Sequence, residues 1–325
     1  MENILVIRLK AIGDVIFTLP AIGALREHFP DAKITFLASR ENVPLLAGFR
    51  DVNEVIALDR AALRSGNPLR MGAEFFGLLG RLRAGKFSLV VDLQGFGETA
   101  WMAWLTGAPQ RWGTVYGSGR RWAYTRGLTR DDTLHPADWN LQLLAGCGIR
   151  CRTVRNEFLL PADALAAARK FLAANQLNPD QPLLVIQPLT SSPQKNWPLE
   201  NYLAVARHWR ERGVQVIFSG GPADAPLLEP VRAEKFCAAT SLPLLVSAGL
   251  VQLAALTLGG DTGLGHLAVA QGRRVVMLMM HKNPGACVPY QHADWALVPA
   301  NSGNLRDLAV PAVLAETGKV LAVNC

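Results

Sequence analysis

ALTLGGDTGLGHLAVAQGRRVVMLMM, residues 255–280, reads as strand, glycine-rich turn, helix and strand. Leu256 and Leu258 lead into Gly259-Gly260-Asp261-Thr262-Gly263-Leu264-Gly265-His266. A short helix is predicted over Leu267 to Gln271, stopped by Gly272. Val275 to Met280 is a continuous apolar run of the kind found in strands buried on both faces. Glycines where a strand turns into a helix let backbone N–H groups approach a ligand, and a helix N-terminus carries partial positive charge. The stretch is therefore either a phosphate seat or a βαβ turn with no ligand. It is neither GxGxxG nor GxxxxGK[ST], so dinucleotide and P-loop readings gain no direct support. Asp261 and His266 favour the seat, because a purely structural crossover does not require ionisable groups there.

Outward from that stretch the same alternation recurs. In the first half, strands are predicted over Asn3 to Arg8, Lys33 to Ala38, Glu54 to Leu58, Phe87 to Leu93 and Gln110 to Gly113. Helices are predicted over Val15 to Phe29, with Pro20 kinking it or in its first turns, and over Met71 to Ala84, Thr99 to Leu105 and Asp138 to Ala145. Arg120 to Asp132 is polar and reads as irregular. Pro161 and Asn178-Pro179 bracket a helix over Ala162 to Ala174. Alternation then restarts with strands at Leu183 to Gln187 and Val214 to Phe218, and ends in a helix from Leu305 onward. The fold class is α/β with mostly parallel sheets. The expected organisation is two Rossmann-like domains facing across a cleft: residues 1–160, an interdomain crossing at 161–182, and residues 183–325. Ligands of such folds bind at the carboxyl ends of the strands.

Half of the 325 residues are hydrophobic, ample for buried cores, and no stretch has the ~18 consecutive apolar residues of a membrane span. Apolar residues follow Arg8 and Lys10, but Gly13-Asp14 interrupts any signal-peptide pattern, so a first β-strand is expected there. The cysteines, Cys147, Cys151, Cys237, Cys287 and Cys325, are odd in number and lack a CxxC pair. That suits a reducing cytosol better than a disulfide scaffold or zinc site, and no metal is expected. The formal net charge is +7. Residues 1–160 hold 20 Lys+Arg and 15 Asp+Glu, or +5; the remainder holds 33−20=13 and 26−15=11, or +2. The excess favours an anionic partner for the first half, such as a phosphorylated substrate or an acidic lipid surface, or else is solubilising surface charge. No lysine-rich run or basic-aromatic motif points to nucleic acid.

Several residues could carry chemistry. Asp14 follows the first strand; it can cap a helix there, or act as a general base at the carboxyl edge of the first sheet. Arg8 and Lys10 nearby would hold its pKa down or bind anionic acceptor groups. Lys195 lies in the loop after the first strand of the second half, where a cation could neutralise a diphosphate leaving group. Asp224, beyond Ser219-Gly220-Gly221, could accept ribose hydroxyls or cap a helix.

With these residues in place, the chain resembles the ADP-heptose:lipopolysaccharide heptosyltransferases, glycosyltransferase family nine, of GT-B fold. Three motifs carry the resemblance: ILVIRLKAIGDVIFTLPAIGALREHFPDAKITFL at 4–37, Lys195-Asn196-Trp197-Pro198-Leu199-Glu200, and Asp261 to Ala268 followed by Asn283-Pro284. The resemblance implies that Asp14 deprotonates the acceptor hydroxyl and Lys195 contacts the donor phosphates. It implies that Thr262 and Gly263 offer N–H groups to the diphosphate, that Asp261 and His266 orient heptose and phosphate, and, more loosely, that Asp224 meets the ribose. The implied reaction inverts the anomeric carbon without a metal or cofactor, using a sugar-nucleotide donor such as ADP-heptose. The implied acceptor is the lipopolysaccharide inner core, phosphorylated or carboxylated, which Arg120 and Arg121 would suit. The implied place is cytoplasmic, at the cytosolic face of the inner membrane, with peripheral membrane contact. Gln187-Pro188-Leu189 stands where members often have His-Pro-Gly, and Met279-Met280-His281-Lys282 replaces an aromatic-Gly-Pro-Thr stretch. A transferase for another sugar or a protein acceptor, or a non-catalytic nucleotide-sugar binder, remain the alternatives.

Overall fold

The structure is a computed structural model and describes residues 2–300 and 303–321; Cys325 lies outside the described residues. The chain divides into two compact units, Met1–Phe158 and Leu159–Cys325.

The first unit holds β1 (Asn3–Ile7), β2 (Lys33–Ser39), β3 (Glu54–Leu58), β4 (Leu89–Asp92), β5 (Gln110–Val115) and β6 (Arg126–Thr129). They form one parallel sheet in the order β3-β2-β1-β4-β5-β6. Its helices are α1 (Ile12–Ile16), α2 (Leu19–His28), α3 (Arg60–Leu63), α4 (Pro68–Ala84), α5 (Gly97–Leu105) and α6 (Pro136–Gly146). The second unit opens with α7 (Ala162–Ala174) and holds β7 (Leu183–Gln187), β8 (Gln215–Ser219), β9 (Cys237–Ala239), β10 (Leu256–Gly260), β11 (Val275–Leu278) and β12 (Ala296–Leu297). Its remaining helices are α8 (Leu199–Arg210), α9 (Glu229–Ala233), α10 (Leu244–Leu253), α11 (Gly263–Ala270) and α12 (Val310–Leu321). The second sheet, also parallel, runs β9-β8-β7-β10-β11-β12.

Counted within each unit, both sheets follow the order 3-2-1-4-5-6. The chain reverses direction across the sheet between the first and fourth strands, and the crevice at that switch point is where such folds bind ligands. In the first unit this is the gap between β1 and β4; in the second, between β7 and β10. Each sheet has its own core. Leu5, Ile7, Leu37, Leu82 and Val90 are buried together in the first unit. Leu184, Ile186, Tyr202, Phe218 and Leu258 are buried together in the second. Each such side chain contributes ~1.5–3 kcal/mol by leaving water.

Several elements differ from the sequence reading. The helix expected over Val15 to Phe29 is two, α1 and α2, and Pro20 sits in the first turn of α2, where its missing N–H costs nothing. The segment 161–182, expected as an interdomain crossing, contributes α7, which packs on α10 of the second unit. Gly249 of α10 permits this approach, since a Cβ there would lie 2.6 Å from the Ala168 Cβ. The stretch read as irregular after Arg120 supplies a 3-10 turn at Ser118–Ala123 and the edge strand β6.

Candidate active site

The glycine-rich turn of the opening stretch sits at the second unit's switch point. The helix there starts earlier than expected, at Gly263, because Thr262 caps it: Thr262 Oγ1 accepts the Gly265 N–H at 3.2 Å. The Thr262 hydroxyl donates to Gln187 Oε1 at 2.8 Å, joining the ends of β10 and β7 across the crevice. Gly263 and Leu264 open the helix, and first-turn N–H groups have no partner within the helix. Two of the glycines are explained by packing rather than by a ligand. A Cβ on Gly259 would lie 2.6 Å from the Gln187 carbonyl oxygen, and one on Gly260 2.6 Å from Thr190 Cγ2.

Asp261 is the centre of the polar cluster. Its Oδ2 accepts from Lys195 Nζ at 3.0 Å and its Oδ1 from His266 Nε2 at 2.9 Å. Burial opposes ionisation of Asp261, but the hydrogen bond and charge from His266, then those from Lys195, outweigh it and hold the carboxyl below its ordinary range. His266 is 4% exposed, so its imidazole lies behind Asp261 rather than at the surface, and it bears on the site by fixing that carboxylate. Lys195 is half-exposed and spends one of three donors on Asp261. Its loop is held on both sides. Asn196 Oδ1 accepts the Thr190 N–H at 2.8 Å, and the buried Trp197 donates from Nε1 to the Leu308 carbonyl at 2.9 Å.

Beside the cluster lies a cavity of about 190 Å³. Lys195 and Asp261 stand at one side; Leu278, Met279, Met280, Ala286, Cys287 and Leu305 supply an apolar wall. The sequence reading took Met279 and Met280 as the end of a buried strand and Met279 to Lys282 as a departure from a pattern, and missed that Met279, Met280 and His281 line this cavity. Asp224 does not join the cluster. It lies beyond β8, and its Oδ2 accepts the Gly221 N–H at 2.7 Å, capping its own turn.

The first unit's switch point holds the other candidate carboxylate. Asp14 lies inside the first turn of α1, where Oδ2 accepts the Ala11 N–H at 3.0 Å and pairs with Arg8 Nη2 at 2.7 Å. Among the described residues no group bonds its Oδ1, and the side chain is 35% exposed. Lys10 is exposed and forms no ion pair among the described residues. The loop after β4 organises the rest, by contacts the sequence did not signal. Arg8 Nη1 donates to the Leu93 carbonyl at 2.8 Å, Gln94 Oε1 accepts the Leu9 N–H at 2.9 Å, and Arg120 Nη1 donates to the Gly95 carbonyl at 3.3 Å. Arg121, on the same turn as Arg120, is exposed, and its Cγ would lie 3.7 Å from a Cβ on Gly127. The loop itself is pinned by Asp92. Its Oδ1 accepts the N–H groups of Gln94 and Gly95, each at 2.9 Å, and its Oδ2 accepts the Tyr124 hydroxyl at 2.7 Å. Burial pushes the Asp92 carboxyl up, and burial beside that carboxyl pushes the Tyr124 hydroxyl up as well. Among the described residues no group of three or more His, Cys, Asp and Glu is placed to hold a metal ion.

Two parallel six-stranded sheets of this order, each with a polar cluster at its switch point, match the GT-B fold of solved heptosyltransferases. The fold matches a family 9 glycosyl transferase from Veillonella parvula with a TM-score of 0.87 at 23% identity, covering 99% of this chain and 97% of that one. It matches the ADP-heptose lps heptosyltransferase II of E. coli with a TM-score of 0.81 at 21% identity, covering 99% of both. In sequence, the chain is 24% identical over 306 residues to the lipopolysaccharide core heptosyltransferase OpsX of Haemophilus influenzae, covering 90% of this chain and 83% of that protein. It is 28% identical over 297 residues to lipopolysaccharide heptosyltransferase 1 of Pseudomonas aeruginosa, covering 87% and 80%. The chain belongs to glycosyltransferase family 9, the heptosyltransferases, whose model matches residues 76–309, well over half of its length.

Proposed function

We propose that the chain transfers a heptose from ADP-heptose to the lipopolysaccharide inner core, with inversion at the anomeric carbon and without a metal. The observation that carries this reading is the Asp261 cluster, with its half-exposed Lys195, beside an apolar cavity and the first turn of α11. A nucleoside diphosphate has the matching parts: a base for the apolar wall and phosphates for the cation and backbone N–H groups. An E. coli relative of the same fold is described with ADP-2-deoxy-2-fluoro heptose, which supports ADP-heptose as donor.

In the proposed reaction Asp14 takes the proton of the acceptor hydroxyl through Oδ1. The oxygen attacks the anomeric carbon as the bond to the diphosphate oxygen breaks, and ADP leaves with the bonding pair. Lys195 and the N–H groups of Gly263 and Leu264 take up the charge that develops on the leaving group. Arg8 both steadies Asp14 and, with Arg120, gives the acceptor side an excess of cation suited to phosphates on the core. The acceptor is lipid-borne, so the protein works at the cytosolic face of the inner membrane and touches it peripherally. Among the described residues no helix is long and apolar enough to cross one.

The test is transfer itself. The protein is incubated with ADP-heptose and a heptose-deficient core acceptor, and products are read by mass spectrometry. The acceptor should gain one heptose with inverted linkage. Transfer of another sugar from a donor panel, or donor binding with no transfer to any core acceptor, would reject the reading.

A further inference from the structure

The first unit carries an apolar face that no described part of the chain covers. Among the described residues twelve large hydrophobic side chains are exposed, and nine of them fall between Leu69 and Trp122. Seven of the nine lie on α4, on α5 and on the 118–123 turn, Phe96 and Tyr116 stand just before α5 and that turn, and α5 packs against both of its neighbours. On α4 the side away from Leu78 and Leu82 reads Leu69, Gly72, Ala73, Phe76 and Gly80, and carries one charge, Arg83, in the last turn. Leu69 is 86% and Phe76 69% exposed, and nothing lies within 4 Å of where a Cβ would stand on Gly72 or Gly80. On α5 and the turn, Trp101, Trp104 and Trp122 touch one another, with ring centroids 4.7–6.0 Å apart, and each is about half exposed. Four other tryptophans, Trp112, Trp139, Trp197 and Trp209, are buried. Exposed tryptophan is therefore gathered in one place.

Charge names the partner. Residues 59–86 hold six Lys+Arg against two acids, 6−2=+4. Both acids are turned inward: Asp59 pairs with Arg40 and Arg70, and Glu74 with Arg81. A helix with an apolar face, basic flanks and neighbouring tryptophans is built for the boundary between lipid headgroups and acyl chains.

We propose that α4, α5 and Trp122 form a surface that docks on an anionic bilayer, with Leu69 and Phe76 entering the acyl boundary and the arginines meeting lipid phosphates. This rests on the proposed function only in that a lipid-borne acceptor brings the protein to a membrane.

Co-sedimentation of the full chain with vesicles tests it. The protein should bind phosphatidylcholine–phosphatidylglycerol vesicles, bind pure phosphatidylcholine far less, and release as salt rises. Leu69→Ser with Phe76→Ser should weaken binding about tenfold or more, with Tm unchanged because both side chains are already in water. Arg64→Glu with Arg70→Glu should weaken it about fivefold for each charge removed. Absence of binding to anionic vesicles, or binding unchanged in the Leu69→Ser, Phe76→Ser variant, overturns the proposal. So does a lipid-free dimer in sedimentation velocity that Phe76→Ser dissociates, which would give the face to a second copy of the chain. Transfer to a lipid-free core oligosaccharide is measured alongside. That assay reports on the transferase reading alone, and the double serine variant should retain it.

Discussion

Asp14 is held from one side only: Arg8 and the Ala11 N–H both engage Oδ2, so Oδ1 can meet a hydroxyl without breaking a native bond. A general base contributes about 10²–10⁴-fold, so Asp14→Ala should lower kcat by that much while calorimetric ADP affinity stays unchanged. Undiminished turnover would remove the assignment. Lys195 should show the reverse pattern. Its loss takes a charged contact from the diphosphate, and Lys195→Ala should weaken ADP binding by ~1.5–3 kcal/mol. Equal affinity for wild type and variant would rule the contact out. Asp261 adds a pH dependence. Its carboxyl is lowered in the folded protein from an ordinary value of 3.8, so its pairing adds stability that is fully present above 3.8 and is lost as pH falls through the lowered value. Urea unfolding should therefore find Asp261→Asn less stable than wild type at pH 7, with the gap closing below pH 3.8; a gap that widens with acid would contradict the sign.

At the scale of elements, the crevice between β7 and β10 is narrow because two glycines let the 187–196 loop lie against β10. Gly259→Ala would push a methyl group to 2.6 Å from a backbone oxygen, which cannot rotate away. A cost of ~1–3 kcal/mol is expected, read as a Tm lowered by several degrees, with Gln187 displaced from Thr262 and ADP binding weakened. A Tm equal to wild type would mean the loop can retreat freely. The same elements show what the sequence made legible. β1, β4, β7 and β11 stood out because strands buried on both faces are near-continuous apolar runs, and β10 through Leu256 and Leu258 ahead of its glycines. β9 and β12, of three and two residues, are too short for any period to show. β6, RGLT, has little strand character of its own and is held by pairing to β5 and by Arg126 reaching the Cys147 carbonyl. Lys195 and Asp261 were grouped by motif resemblance across 66 residues, and neighbouring strands explain why they meet. The Asp92–Tyr124 and Gln94–Leu9 links had no such signal, since each joins residues far apart that no local pattern relates.

For the whole molecule, the repeated strand order matters most. Each unit closes its own sheet and core, and α12, the last helix, packs on α8 and β10 of its own unit. The second unit, residues 159–325, should fold alone and bind ADP within about tenfold of the full chain's affinity, by calorimetry, because every donor contact proposed here lies within it. An unfolded fragment would show that the second core depends on the first. The distribution of thiols has a practical outcome. Burial pushes Cys147 up to about 11 and raises Cys151 and Cys237 as well, which disfavours their thiolate forms. Cys287 lines the cavity beside Lys195. If the base of the proposed donor sits against that wall, a nucleotide analogue carrying an electrophile there would be brought beside a thiol, a route to irreversible inhibition selective for this cavity.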